Sequence, residues 1–178
     1  MRMVTTALAT ALVLNAPCSA VAKSGRGIAL TVPPAYLRVA EEYDVPAGIL
    51  FAIALAESGR TTDGRILPWP WTLNIRGRGE YFSSRTEADA RLDQLIREGG
   101  TPDIGLMQVN WKYHQDKLGK PAQAFDPWLN LRAGALVLRQ AYEDTGDWWQ
   151  AVGRYHSRTP ARAQAYRKRV LRWYRRLG

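Results

Sequence analysis

Residues 46–60 read PAGILFAIALAESGR. The eleven residues from Pro46 to Ala56 carry no charge. Because a helix that is apolar on every side must be buried on most of them, this segment predicts the central helix of a globular core. Asp44 is its expected cap, Pro46 suits its first turn, and Gly59 ends it.

The N-terminal residues predict an export signal. Arg2 is followed by a short apolar run and then by the small residues Ala20-Val21-Ala22. This order is typical of a cleaved signal peptide over residues 1–22, and the apolar run is too short for a membrane span. The alternative is a buried N-terminal helix. Residues 23–33 then resemble a flexible lead-in that ends in two prolines.

Downstream, the patterns predict a mainly helical domain with one small β-hairpin. Trp71, Leu73 and Ile75 alternate with polar residues before an Arg-Gly-Arg-Gly turn, which is typical of a hairpin. Helical spacing of apolar residues, together with caps and breakers, predicts the remaining elements. The predicted helices cover 36–43, 87–98 with Thr86 as the cap, a short turn around 105–110, 129–142, 147–155 and a last helix that Pro160 opens.

Composition excludes several classes of site. The single cysteine, Cys18, lies in the signal, so the mature chain has no disulfide and no thiolate nucleophile. With only His114 and His156 and no zinc-binding motif, the sequence predicts no metal site and no cofactor. The formal charge of +9 is concentrated after residue 153, mostly in the basic helix of 160–178. Since an exported protein seldom meets nucleic acid, we expect weak contact with an anionic membrane or with cell-wall material, or a simple solvated face.

Glu57 is the residue that carries chemistry. It is the first charge after the apolar helix and lies at the helix C-terminus. Desolvation and the negative end of the helix dipole both disfavour the carboxylate, so both raise its pKa. A general acid that works near neutral pH needs this property. The alternative is a solvent-facing glutamate or one paired with an arginine such as Arg60.

Three motifs in order, AESG at 56–59, GLMQVN at 105–110 and AVGRYHS at 151–157, carry a resemblance to a known family. The segment DPWLNLRAGALVLRQAY lies between the last two. From about Pro34 to about Tyr166 the chain resembles the lytic transglycosylases of the soluble, lysozyme-like (goose-type) class. It is most similar to the small transglycosylases that accompany conjugation and type IV secretion machines.

The resemblance implies a function for each matching residue. It implies that Glu57 protonates the glycosidic oxygen next to N-acetylmuramic acid in peptidoglycan and then deprotonates its 6-hydroxyl, which closes a 1,6-anhydro ring. Ser58 would hold this glutamate, Gln108 would bond a sugar N-acetyl group, and Tyr155 would bond near the carboxyl. The resemblance also implies that residues 34–178 are the catalytic domain, with 68–100 as a hairpin-plus-helix insertion. We expect the protein to be a monomer.

Other matching residues have two readings. Met107 belongs to the motif that lines the cleft, but it and Leu106 are equally suited to the core. Asn110 and Asp103 either touch sugar or cap the short helix. His156 stands where the family usually has asparagine, and a histidine charge responds to pH.

The long spacing between Ser58 and Gly105 predicts that the insertion builds a wall of the cleft. Trp69 and Trp71 then either stack on sugars or pack the insertion, and we favour packing. A hydrolytic glycosidase usually uses two carboxyl groups, and no motif pairs one with Glu57. Asp103 and the loop residue Asp63 are the nearest candidates, so a lysozyme-type hydrolase and an inactive glycan-binding module remain as alternatives.

Overall fold

A computed structural model describes residues 30–178, and within this range the protein is mainly helical. The predicted signal peptide and residues 23–29 of the lead-in lie outside the described residues. The helices are α1 (Pro34–Glu42), α2 (Ala47–Ser58), α3 (Arg85–Arg97), α4 (Trp111–Leu118), α5 (Pro127–Thr145), α6 (Trp148–His156) and α7 (Pro160–Tyr174). The strands are β1 (Gly59–Thr62), β2 (Arg65–Pro68), β3 (Thr72–Ile75), β4 (Arg78–Tyr81), β5 (Asp103–Ile104) and β6 (Val109–Asn110). The predicted fold class, a mainly α lysozyme-like domain with a small hairpin insertion, is confirmed.

Helix α2 is the centre of the core, as its uncharged sequence predicts. Every residue from Ile49 to Leu55 is buried, and the helix contacts α1, α5 and α7. The expected cap is wrong: Pro46 occupies the N-cap position and makes no side-chain cap bond. Asp44 instead adopts a left-handed φ of 49°, and its carboxylate pairs with Arg139 of α5 at 2.6 Å. An ion pair with a neighbouring helix has therefore replaced a local cap.

The segment between Ser58 and Gly105 holds the predicted hairpin, within the 68–100 insertion, and a second hairpin before it. Strands β3 and β4 pair antiparallel around Arg76 and Gly77, which both have positive φ, as a type I′ turn requires. Strands β1 and β2 form the second hairpin around Asp63-Gly64, again with positive φ at both positions. The second hairpin was not predicted because most of its residues are exposed, so its apolar alternation is weak.

Helix α3 begins two residues earlier than predicted. Ser84, and not Thr86, is its N-cap, since the Ser84 hydroxyl accepts a hydrogen bond from the Glu87 backbone N–H. Gly99, with a φ of 74°, follows the end of the helix as expected.

The segment around 105–110 is a tight turn, so the expected short helix there is wrong. Strands β5 and β6 pair antiparallel on either side of residues 105–108, and β3 joins them to give a sheet in the order β4-β3-β5-β6. Gly105 and Gln108 both have positive φ, at 77° and 49°. A β-carbon on Gly105 would lie 2.5 Å from the Asn130 side chain, so only glycine fits this position.

The C-terminal helices complete the core. The helices predicted over 129–142, over 147–155 and from Pro160 onward are confirmed as α5, α6 and α7. Helix α7 packs against α2 and α6, and Leu30 forms a parallel bridge with Leu177 just after it. None of the helices within residues 30–178 combines the length and the apolar character that a membrane crossing needs.

Candidate active site

Glu57 lies in the last turn of α2 and opens into a cavity of about 350 Å³. Only 12% of its side chain is exposed. The cavity brings together residues from α2, β3, the 103–110 segment, α4, α5, α6 and α7. The predicted site residues that line it are Glu57, Asp103, Gln108, Asn110, Tyr155 and His156.

Burial raises the pKa of Glu57 to about 7, and this is the largest influence on it. The Tyr166 hydroxyl and the Arg169 guanidinium lower the pKa, while the nearby Asp103 carboxyl raises it. The environment therefore keeps a substantial fraction of this carboxyl protonated near neutral pH, which is what a general acid requires.

Two residues of α7, Tyr166 and Arg169, reach this site although the sequence did not single them out as functional. Arg169 Nη2 lies 3.6 Å from Glu57 Oε1. Tyr166 is buried beneath Arg169, with the guanidinium carbon 4.8 Å from the ring centroid. The apolar spacing of α7 indicated that Tyr166 is buried but not what it faces. The arginine partner of Glu57 is thus Arg169, whereas the Arg60 guanidinium lies over the Trp69 ring.

Hydrogen bonds tie the turn at 105–108 to the helices on both sides. The Ser58 hydroxyl, which is fully buried, donates to the Leu106 carbonyl at 2.7 Å. The Tyr155 hydroxyl donates to the Met107 carbonyl, also at 2.7 Å. The turn is therefore fixed relative to the end of α2 and to α6, one residue away from Gln108.

Ser58 and Met107 support the site from within the core. Neither side chain is accessible to a substrate, because both are fully buried. The Met107 side chain packs against Gly134, where a β-carbon would come within 2.5 Å of it. Of the two readings for Met107, the structure places it in the core.

Gln108, Asn110 and Asp103 form the polar floor of the cavity. Gln108 Nε2 donates to the Gly105 carbonyl at 2.9 Å. The amide oxygen of Gln108 makes no hydrogen bond to the described residues. The Asn110 amide donates to Asp103 Oδ1 at 2.8 Å, and its oxygen caps α4 by accepting from the Lys112 N–H. Burial raises the pKa of Asp103, and the Asn110 hydrogen bond opposes this.

His156 is exposed and stacks on the Tyr166 ring, with centroids 4.5 Å apart and planes within 5°. Desolvation lowers its pKa, and the positive charges of Arg169 and Arg162 lower it further. Because the ordinary value is 6.5, His156 is mainly neutral at pH 7.

The insertion contributes less to the cavity than expected. Trp69 and Trp71 pack edge to face at 5.5 Å, the Trp69 N–H donates to the Phe82 carbonyl, and neither ring lines the cavity. Asp63 lies at the exposed tip of the β1–β2 hairpin and also does not line the cavity. The structure therefore favours the interpretation that both tryptophans pack the insertion.

We expect the protein to lose stability as the pH rises from about 4.5 to about 7. The pKa of Glu57 is about 7 in the folded state against an ordinary value of 4.5, so in this window the folded state holds a proton that the unfolded state has released. The contribution of Glu57 to the free energy of unfolding is fully present below pH 4.5. It decreases by on the order of 3 kcal/mol as the pH rises through 7. Urea unfolding of the wild type and Glu57→Gln at pH 4.5, 6 and 8 measures this. The stability of the variant relative to the wild type should grow with pH, and a constant difference would contradict the assignment.

The Tyr155→Phe variant should lose about 1–2 kcal/mol of stability, because the Met107 carbonyl would lose its donor in a buried position. The turn that carries Gln108 would also be held less firmly. Urea unfolding measures the loss of stability. Tyr174→Phe is the matched control, because the Tyr174 side chain is 40% exposed. Equal effects of the two substitutions would argue against a role for the Tyr155 hydrogen bond.

Comparison with known proteins identifies the family. The family model for the transglycosylase SLT domain matches residues 81–171, just over half of the chain. Invasion protein IagB of Salmonella typhimurium (strain SL1344) is 34% identical over 81 residues, which cover 43% of this chain and 49% of that protein. The protein of the same name from Salmonella typhi matches with the same figures. No solved structure matches.

The chain spans about half the length of the curated relatives it matches. The family match begins at Tyr81, so it contains the 105–108 turn, Tyr155 and Arg169 but not Glu57. From the extent of that match, the chain belongs to the transglycosylase SLT domain family.

Proposed function

We propose that the protein is a peptidoglycan lytic transglycosylase. It cleaves the β-1,4 bond between N-acetylmuramic acid and N-acetylglucosamine and forms 1,6-anhydromuramic acid. Residues 34–178 are its catalytic domain, and Glu57 is its single general acid and base. The observation that carries the proposal is the Glu57 carboxyl, buried at the end of an apolar helix, open to a cavity, and with a pKa of about 7.

One carboxyl serves both steps of this reaction. Protonated Glu57 gives its proton to the glycosidic oxygen, and the bond from that oxygen to the anomeric carbon of the muramyl unit breaks. The carboxylate that remains takes the proton of the 6-hydroxyl, whose oxygen forms the new bond to the anomeric carbon. Glu57 is then protonated again, and no water is consumed. A pKa of about 7 suits both steps, because each needs the opposite protonation state.

Gln108 and Tyr155 position the substrate and the carboxyl. The unpaired Gln108 amide oxygen is suited to accept the N–H of a sugar N-acetyl group, and Asn110 and His156 border the same cavity. The Tyr155 hydroxyl stays protonated, since burial and the carboxyls of Glu57 and Asp103 raise its pKa. It therefore acts as a neutral donor that holds the turn at 105–108.

Hydrolysis of the lysozyme type is the second candidate, and Asp103 is the observation that favours it. Asp103 lines the same cavity as Glu57 and is close enough to raise its pKa. A hydrolase uses such a second carboxyl as base or nucleophile, whereas ring closure takes its nucleophile from the substrate.

Mass spectrometry of the muropeptides released from purified sacculi tests the proposal. Anhydro-muramyl ends are the expected product. Reducing ends that disappear in the Asp103→Asn variant would establish hydrolysis instead. Release of no product by the wild type would leave the inactive glycan-binding module.

For the biological setting, we propose export by the 1–22 signal to the periplasm or beyond, where the enzyme locally opens the cell wall for a secretion or conjugation machine. The motif resemblance to transglycosylases of such machines supports this role. Cell fractionation, with and without residues 1–22, tests the location. Retention of the full chain in the cytoplasm would overturn it.

A further inference from the structure

Arg169 has hydrogen-bonding capacity that the protein itself does not use. Its Nη2 lies 3.6 Å from Glu57 Oε1, which is an ion contact but too long for a hydrogen bond. Its Nε is buried and has no hydrogen-bond partner among the described residues. A guanidinium has five N–H donors in a planar fork that fits a carboxylate, so this side chain is incompletely satisfied.

The protein nevertheless holds this guanidinium in a defined place. Arg169 stacks over the buried Tyr166 ring at 4.8 Å, one turn earlier on α7, and Tyr166 in turn stacks on His156. The Arg169 side chain is 42% exposed, so a molecule in the cavity can reach it. Stacking fixes the plane of the fork and leaves its edge available.

Among the described residues, Arg169 is the one lysine or arginine that lines the cavity. Glu57 and Asp103 supply negative charge. The adjacent Lys168 and the nearby Arg172 lie on the same helix but are exposed and do not line the cavity. The basic face of α7 therefore includes one cation that lines the cavity and others that face solvent.

We propose that Arg169 is a carboxylate-binding residue of the cleft, which takes an anionic group carried by the muramyl unit of the substrate. This inference rests on the proposed function. The carboxylate comes either from the lactyl group of a strand without peptides or from the stem peptide of a complete strand. In both cases the same guanidinium edge binds it.

Binding of this carboxylate has a consequence for Glu57. In the free protein, the positive charge of Arg169 favours the ionised form of Glu57. A substrate carboxylate on Arg169 neutralises that charge and adds a negative one nearby, so both changes favour the protonated acid. Substrates with a carboxylate would therefore bind and also prepare the proton donor.

Three glycan oligomers of equal length test this proposal. The first carries stem peptides, the second carries free lactyl carboxylates, and in the third these carboxylates are converted to neutral amides. We expect kcat/KM of the wild type to be about tenfold higher for one or both charged oligomers than for the neutral one, as a charge-assisted hydrogen bond provides. The oligomer that shows the preference identifies the source of the carboxylate.

In Arg169→Gln, the ratio of charged to neutral substrate should fall towards one, and Arg169→Lys should give an intermediate ratio because a lysine lacks the fork. Lys168→Gln is the matched control, since it removes the same charge from the same helix and should keep the wild-type ratio. An unchanged ratio in Arg169→Gln, or a wild type without preference, would overturn the proposal.

A binding measurement separates this inference from the proposed function. If the wild type cleaves none of the oligomers, the proposed reaction fails, and calorimetry with the same three oligomers still tests Arg169. We then expect about tenfold tighter binding of a charged oligomer by the wild type and loss of that preference in Arg169→Gln. Equal affinity of the wild type for all three would overturn the inference.

Discussion

The Glu57→Gln variant should lose glycan-cleaving activity by at least 10² to 10⁴-fold, the usual contribution of a general acid. Glutamine has nearly the same shape but can neither donate the proton to the glycosidic oxygen nor accept one from the 6-hydroxyl. Since one carboxyl serves both steps in the proposed reaction, no other group replaces it. Release of soluble muropeptides from sacculi, measured as initial rate, gives the size of the loss.

Glu41→Gln is the matched control, because Glu41 is an exposed glutamate of α1 outside the cavity. It should retain wild-type activity. Binding of glycan by Glu57→Gln should persist, since the carboxyl is used for chemistry. If this variant retained activity close to the wild type, the assignment of Glu57 would be wrong. If both it and the wild type bound glycan and neither cleaved it, the protein would be a binding module.

The burial of Glu57 and the direction of its pKa shift could be predicted from the sequence, because both depend on neighbouring residues in the chain. The uncharged run before it predicts burial, and its place at a helix end predicts the direction of its pKa shift. The same holds for α5, α6 and α7, whose caps and apolar spacing lie within one segment. The β1–β2 hairpin was not predicted because its residues are mostly exposed. Its Asp63-Gly64 turn was the only strong local signal.

The residues that contact Glu57 were harder to predict from the sequence, because these contacts depend on tertiary packing. Tyr166 and Arg169 lie more than a hundred residues downstream, and nothing within α7 indicates that it packs against α2. The prediction of Asp44 as a helix cap was wrong for the same reason. The Asp44 carboxylate pairs with Arg139, which lies on a helix far away in the sequence. Long-range ion pairs are the part of this site that a single sequence does not reveal.

Asn130 illustrates the same limit and carries the largest expected effect on stability. It lies near the start of α5, is 1% exposed, and bonds three backbone groups. Its Nδ2 donates to the Ile104 carbonyl at 2.9 Å and to the Ala124 carbonyl at 3.2 Å, and its Oδ1 accepts from the Met107 N–H at 2.9 Å. One side chain therefore pairs two backbone groups of the irregular 104–107 segment and ties that segment to the Ala124 carbonyl.

The Asn130→Ala variant should unfold with a free energy lower by about 3 to 5 kcal/mol, because each buried group left unpaired costs about 1–3 kcal/mol. Glycan cleavage should also fall, since the turn that positions Gln108 loses its anchor. Urea unfolding monitored by tryptophan fluorescence, together with turnover at a temperature where the variant is folded, measures both effects. Gln94→Ala is the control: it removes an amide from the exposed face of α3 and should change stability by less than about 0.5 kcal/mol. A similar small change for Asn130→Ala would mean that water substitutes for the amide, and that α2 and α6 hold the turn through Ser58 and Tyr155 without it.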